Sequence, residues 1–149
     1  MDRRPTVAGP PGFYPQGFVV IDNILYFGGM KHDLDVRDDV ERLVDLFYAK
    51  VQKDPLLAPV FVHVDWPEHL PKMYNFWASM MLGEMTYRGN PFENHIRLPI
   101  GTEHFNQWLE LFTATVDENF EGARAVEIKE RARSIAEIFQ YKMGLIKRP

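Results

Sequence analysis

Two histidines frame the chemistry open to this chain. His69 and His95 lie twenty-six residues apart, and between them runs Asn75-Phe76-Trp77-Ala78-Ser79-Met80-Met81-Leu82-Gly83-Glu84. Imidazole is the commonest side-chain ligand for a metal and also moves protons near neutral pH. His95 sits on a short segment between Gly89-Asn90-Pro91 and Pro99-Ile100-Gly101, two breaks that exclude a long helix. Its ring is therefore aimed by a constrained loop. Around it, Phe61, Met73, Phe76, Trp77, Met80, Phe92, Phe105 and Trp108 could line a wide, flat, apolar slot. That combination suits a planar cofactor held by one imidazole–iron bond, which is how a haem is held. From these residues alone the plainer alternatives stay open: His95 a solvated loop histidine, and the aromatic residues an ordinary core.

Composition removes several other chemistries. The chain has 149 residues, 46% of them hydrophobic, enough for one globular domain with a sizeable core. It has no cysteine, which excludes disulfides, zinc thiolates, iron–sulfur clusters and thiol nucleophiles. A formal charge of −4 and a pI near 5.7 argue against a nucleic-acid partner. No apolar run reaches the roughly 20 residues of a membrane helix. Arg3-Arg4 leads into Pro5 and a Gly/Pro-rich stretch, not an apolar signal core. A cytoplasmic protein without stable membrane insertion is expected.

The elements that must position these residues follow from periodicity. Residues 1–34 read as a non-helical N-terminal extension, because Pro5, Gly9, Pro10, Pro11, Gly12, Pro15 and Gly17 prevent regular helix. It is irregular, or contains a short hairpin of 18–21 and 24–27 around Asp22-Asn23. Residues 35–149 read as an all-α domain. Val36, Val40, Leu43, Val44, Phe47 and Val51 share one helical face, capped by Asp35 and stopped by Asp54-Pro55. Leu56 to Phe61, with prolines at 55 and 59, suits a tight turn. A second helix is expected from about Glu68 to Met85, with Met73, Phe76, Trp77, Met80 and Met81 inward. A third begins near Thr102 and carries Phe105, Trp108, Leu109, Phe112 and Val116 on one face. The fourth spans about Ala123 to Met143 and buries Ile128, Ala132, Ile135, Ile138 and Phe139.

Several segments agree in order and spacing with one family. Leu46 to Asp54, Leu57-Ala58-Pro59-Val60-Phe61, Glu68-His69, Asn75 to Glu84, Tyr87-Arg88-Gly89 and His95-Ile96-Arg97-Leu98-Pro99 resemble the third group of bacterial truncated haemoglobins. The resemblance runs from about Asp38 to Gln140. It implies a truncated globin fold, a two-over-two helical sandwich, holding haem b.

Residue by residue, the resemblance makes His95 the proximal iron ligand and Phe61 the ring stacked on the haem edge. Tyr48, His69 and Trp108 become the distal groups that stabilise a bound ligand. Lys72, Arg88 and Arg97 compete to meet a haem propionate. Tyr48 O–H, Trp108 N–H and one tautomer of His69 are all donors, suited to a ligand with partial negative charge in a low-dielectric pocket. Pro71, two residues after His69, suggests a second helix that starts late and a mobile His69.

The activity implied is oxygen binding or transport, with O₂, NO and CO as ligands. Peroxidase-like, nitrite or NO-detoxifying chemistry would depend on a reductase that no residue names. A monomer or weak homo-oligomer is expected. A competing reading is a cofactor-free helical protein–protein interaction domain. A non-haem metal site of His63, Asp65, Glu68 and His69 is a third, weakened by the proline-containing corner those residues straddle.

Overall fold

The computed structural model describes residues 19–21, 24–26, 31–92 and 98–147, and it separates into two units, 1–32 and 33–149. In the first, β1 (Val19–Ile21) and β2 (Ile24–Tyr26) pair antiparallel, with Val19 opposite Tyr26 and Ile21 opposite Ile24. The register leaves two residues, Asp22 and Asn23, between the strands, the loop length that favours a tight hairpin.

The second unit is helical throughout its regular structure: α1 (Arg37–Val51), a 3₁₀ turn (Ala58–Phe61), α2 (Trp66–Leu82), α3 (Thr102–Asn119) and α4 (Ala123–Lys142). α1 packs on both α2 and α3, and α3 packs on α4. Of the inward face expected of α1, Val40, Leu43, Val44, Phe47 and Val51 are at most 1% exposed, whereas Val36, at the N-cap before the helix begins, is 56% exposed. The five buried residues meet Phe112 and Val116 of α3 and Ile128 and Ala132 of α4 in the main core. Arg37 ties α1 to α2, donating to Asn75 Oδ1 at 2.7 Å and Glu84 Oε1 at 2.8 Å.

The helix ends differ from expectation in instructive ways. Val36, not Asp35, is the N-cap of α1, and the orphan donors are met from inside the helix. Asp39 Oδ2 accepts the N–H groups of Asp35 and Val36 at 3.0 and 3.1 Å, leaving Asp35 without a capping role. α2 starts at Trp66, two residues earlier than expected. Asp65 caps it by accepting from Glu68 N–H at 3.3 Å, and Pro67 occupies its first turn, where proline is tolerated. The helix continues through Pro71, so the late start is corrected; Pro71 removes one internal hydrogen bond without ending the helix. α2 stops at Gly83, whose φ of 71° is the left-handed C-terminal conformation glycine supplies. Met85 therefore lies beyond the helix and is 93% exposed. On α4, Ile138 is 49% exposed; its neighbours Ala136 and Phe139 take the inward positions.

α4 is capped from far away in sequence. Asp33 accepts the N–H groups of Arg124 and Ala125 at 2.9 and 2.8 Å and that of Leu34 at 2.9 Å. Gly122, with φ 139°, lets this approach happen, since a Cβ there would lie 2.5 Å from Asp33 Cγ. Burial works to raise the Asp33 pKa, but the backbone donors and Arg124 outweigh it and hold the carboxyl below its ordinary value.

Candidate functional site

Between α1, α2, α3 and α4 the chain forms a cleft with about 780 Å³ of empty space, counting its open mouth. Its walls are almost wholly apolar. α1 contributes Tyr48, and the 3₁₀ turn with its approach contributes Leu57, Val60 and Phe61. α2 adds Met73, Phe76 and Trp77 at helical spacing. The segment before α3 adds Leu98 and Ile100, and α3 adds His104, Phe105 and Trp108. Ile135, Ala136 and Phe139 close the wall from α4.

Two donors face this space, each locked by its neighbours. Tyr48 is 6% exposed, and its ring is fixed edge-on by Phe47 at 5.0 Å and His69 at 5.7 Å, with Trp66 at 5.2 Å. Its hydroxyl has no hydrogen-bond partner among the described residues, and burial pushes its pKa upward, so it remains a protonated donor. Trp108 stacks on Phe112 at 5.4 Å and 14°, and Phe112 stacks in turn on Trp77 at 5.0 Å and 25°. This fixes the plane of an indole whose N–H likewise has no partner among the described residues. Both side chains line the cavity, so a polar ligand held there could accept from them.

Of the residues singled out from sequence, the structure brings Tyr48, Phe61, Met73, Phe76, Trp77, Phe105 and Trp108 to one cavity. His69, in the first turn of α2, is not in the cavity wall; it packs edge-on against Tyr48 and against Trp66, 5.6 Å between ring centroids. Others are not in the cavity wall. Met80, one turn beyond Trp77, packs on the main core. Lys72 points away from the cavity face, pairs with Glu68 at 3.3 Å and is 61% exposed. Arg88 is exposed. Phe92 packs edge-on against Phe139 at 5.5 Å and under the Lys142 ammonium. His95 and Arg97 lie outside the described residues.

Among the described residues no three His, Asp or Glu side chains converge to hold a metal ion. Asp65 caps α2 instead of joining His63, Glu68 and His69 in a site. Sequence reasoning missed Leu57, Val60, Leu98, Ile100, His104, Ile135, Ala136 and Phe139 as lining residues, and Trp66 behind Tyr48. For His104 a signal existed: it lies four residues before Trp108, on the same helical face.

A helical sandwich around an aromatic cavity with two unpaired donors defines a globin-type ligand pocket. The bacterial-like globin family model matches residues 33–142, and the chain belongs to that family, whose members bind haem. It is 37% identical over 125 residues to the group 3 truncated hemoglobin ctb of Campylobacter jejuni, covering 77% of this chain and 98% of the relative. The crystal structure of the group III truncated hemoglobin from Campylobacter jejuni superposes with a TM-score of 0.71, at 37% identity over 79% of this chain and 97% of that one. A truncated oxygen-avid haemoglobin from Bacillus subtilis superposes with a TM-score of 0.64, at 27% identity over 70% and 92% of the two chains. The all-α truncated globin fold expected from the sequence is thereby established.

Proposed function

We propose that this chain is a haem b protein that reversibly binds O₂, with NO and CO as further ligands, and that His95 is the proximal iron ligand. The observation that carries the reading is the pair of unpartnered donors, Tyr48 O–H and Trp108 N–H, facing an otherwise apolar, aromatic cavity. These residues fit a haem: flat rings to sandwich a porphyrin, and two fixed donors beside the space where a ligand would lie. When bound, the haem iron supplies reversible coordination of a diatomic gas.

The chain's own residues do the rest. Phe61, Phe76, Trp77 and Phe105 exclude water. Tyr48 and Trp108 donate to the ligand's electronegative end from rigid positions, so little reorganisation is needed. His69 packs edge-on against Tyr48, and peroxide or nitrite chemistry served by an unidentified reductase is a second activity that this histidine could assist as a proton donor. The likeness to a haemoglobin described as oxygen-avid supports O₂ as the principal ligand. A cytoplasmic setting agrees with the cysteine-free composition.

The test is spectroscopic. The purified protein is expected to show a Soret band that shifts on reduction and on CO addition, and His95→Ala should abolish the band or convert it to that of loosely held haemin. A colourless protein that also refuses added haemin overturns the proposal and returns the field to a cofactor-free interaction domain.

A further inference from the structure

A haem is apolar only in its ring. Its two propionates are carboxylates, and a carboxylate drawn against an apolar wall needs a donor or a cation. The cavity offers one built for that purpose. Building on the haem reading above, we propose that His104 is a positioning residue that holds a haem propionate through Nε2.

His104 lines the cavity, and its side chain is only 17% exposed. It is the third residue of α3, and its Nδ1 accepts the backbone N–H of Gly101, the N-cap, at 3.0 Å. A nitrogen that accepts cannot carry the proton, so the neutral ring is the Nε2–H tautomer. Nε2 has no partner among the described residues. The Glu103 carboxylate lies 3.4 Å from Nδ1 and is 66% exposed; it stands at the occupied nitrogen and leaves Nε2 to a ligand.

The other described candidates are placed differently. Lys72 is bound to Glu68, and neither Lys72 nor Arg88 lines the cavity. Among the described lining residues His104 is the one side chain able to bear a positive charge. It shares a helical face with Trp108 one turn further on, so α3 presents one donor to the gas ligand and another to the cofactor's carboxylate.

Glutamate and glutamine at the third helical position keep a bond to the N-cap N–H, as in natural capping boxes. His104→Glu and His104→Gln therefore preserve the helix start while altering what faces the carboxylate. Haemin and its dimethyl ester, which has no free propionate, are loaded into each holoprotein, and transfer to excess apomyoglobin is followed by absorbance.

With haemin, His104→Glu is expected to lose its cofactor at least about tenfold faster than wild type, since repulsion replaces a charge-assisted bond. His104→Gln should fall between, and it carries the same comparison if the glutamate variant does not fold. With the dimethyl ester the variants and wild type should release at equal rates. Equal rates with haemin overturn the proposal, as does a difference that persists with the ester, which would make His104 merely structural. A wild-type protein that takes up no haemin overturns the haem reading itself and is seen before any variant is compared.

Discussion

The two ends of the helical body are packed to different standards. At one end Leu43, Val44, Phe47, Phe112, Val116, Ile128 and Ala132 are at most 1% exposed and close on one another. At the other, Phe105, Ala136 and Phe139 retain 8%, 4% and 9% exposure and form a small cluster with Phe92, Ile100 and Met143 packed around it. Trp108 and Ile135 touch both clusters, and both line the cavity. The seven side chains of the first group are buried with no ligand present. The second presents its side chains to the cavity, so its burial depends on what the cavity holds. Stability is concentrated where the protein needs nothing, and ligand dependence where it needs a cofactor.

The sharpest way to break this comparison is to hollow the fully buried end. Phe112→Ala removes a fully buried ring stacked on Trp77 and Trp108 and should destabilise the haem-free protein by about 3–5 kcal/mol, measured by denaturant unfolding. Phe139→Ala, at the dependent end, should lower stability less and shorten haemin retention more; the reverse ranking would erase the distinction.

Next in size is Tyr48→Phe. It deletes a hydroxyl that bonds nothing among the described residues, so unfolding should shift by less than about 0.5 kcal/mol. O₂ release should nonetheless quicken roughly ten- to a hundredfold, as loss of a donor to a polarised ligand implies, and flash photolysis or stopped flow would read this.

The smallest effect concerns Asp33, away from the cavity. Asp33→Ala should cost about 1–2 kcal/mol as a lost cap, with ligand kinetics unchanged. Because the Asp33 pKa is lowered in the folded protein from 3.8, the wild-type contribution is complete above that value. It is lost as the pH falls through the lower folded one. The stability gap between wild type and Asp33→Ala should therefore narrow in strong acid, as thermal melts at stepped pH would show.

Helix phases were legible from sequence because burial writes a 3.6-residue period into α1, α3 and α4; the expected start of α3 at Thr102 is its actual start. Ends were less legible. The bonds from Asp39 back to Val36 and from Asp65 to Glu68 depend on backbone angles that no pattern reports, and Pro71 was misjudged because a missing N–H inside a packed helix is tolerable. Of the site, residues recurring along one helix face, such as Met73, Phe76 and Trp77, were readable. Leu98, Ile100 and the α4 wall were not, since they reach the cavity only through tertiary packing. His104 was hidden by a double duty: one nitrogen finishes a helix while the side chain also lines the cavity.

The Asp33 clamp also orders events in time. Its partners, Arg124 and Ala125, lie 91 and 92 residues downstream, so a chain emerging from the ribosome makes the acceptor long before the donors exist. Closing so long a loop demands entropy that local helices do not. α1 and α2 can form as they appear, but α4 is capped only after residues 124 and 125 have been synthesised. The fourth helix is thus latched by a residue that precedes the first helix, and the wall it contributes to the cavity is set after those of α1, α2 and α3.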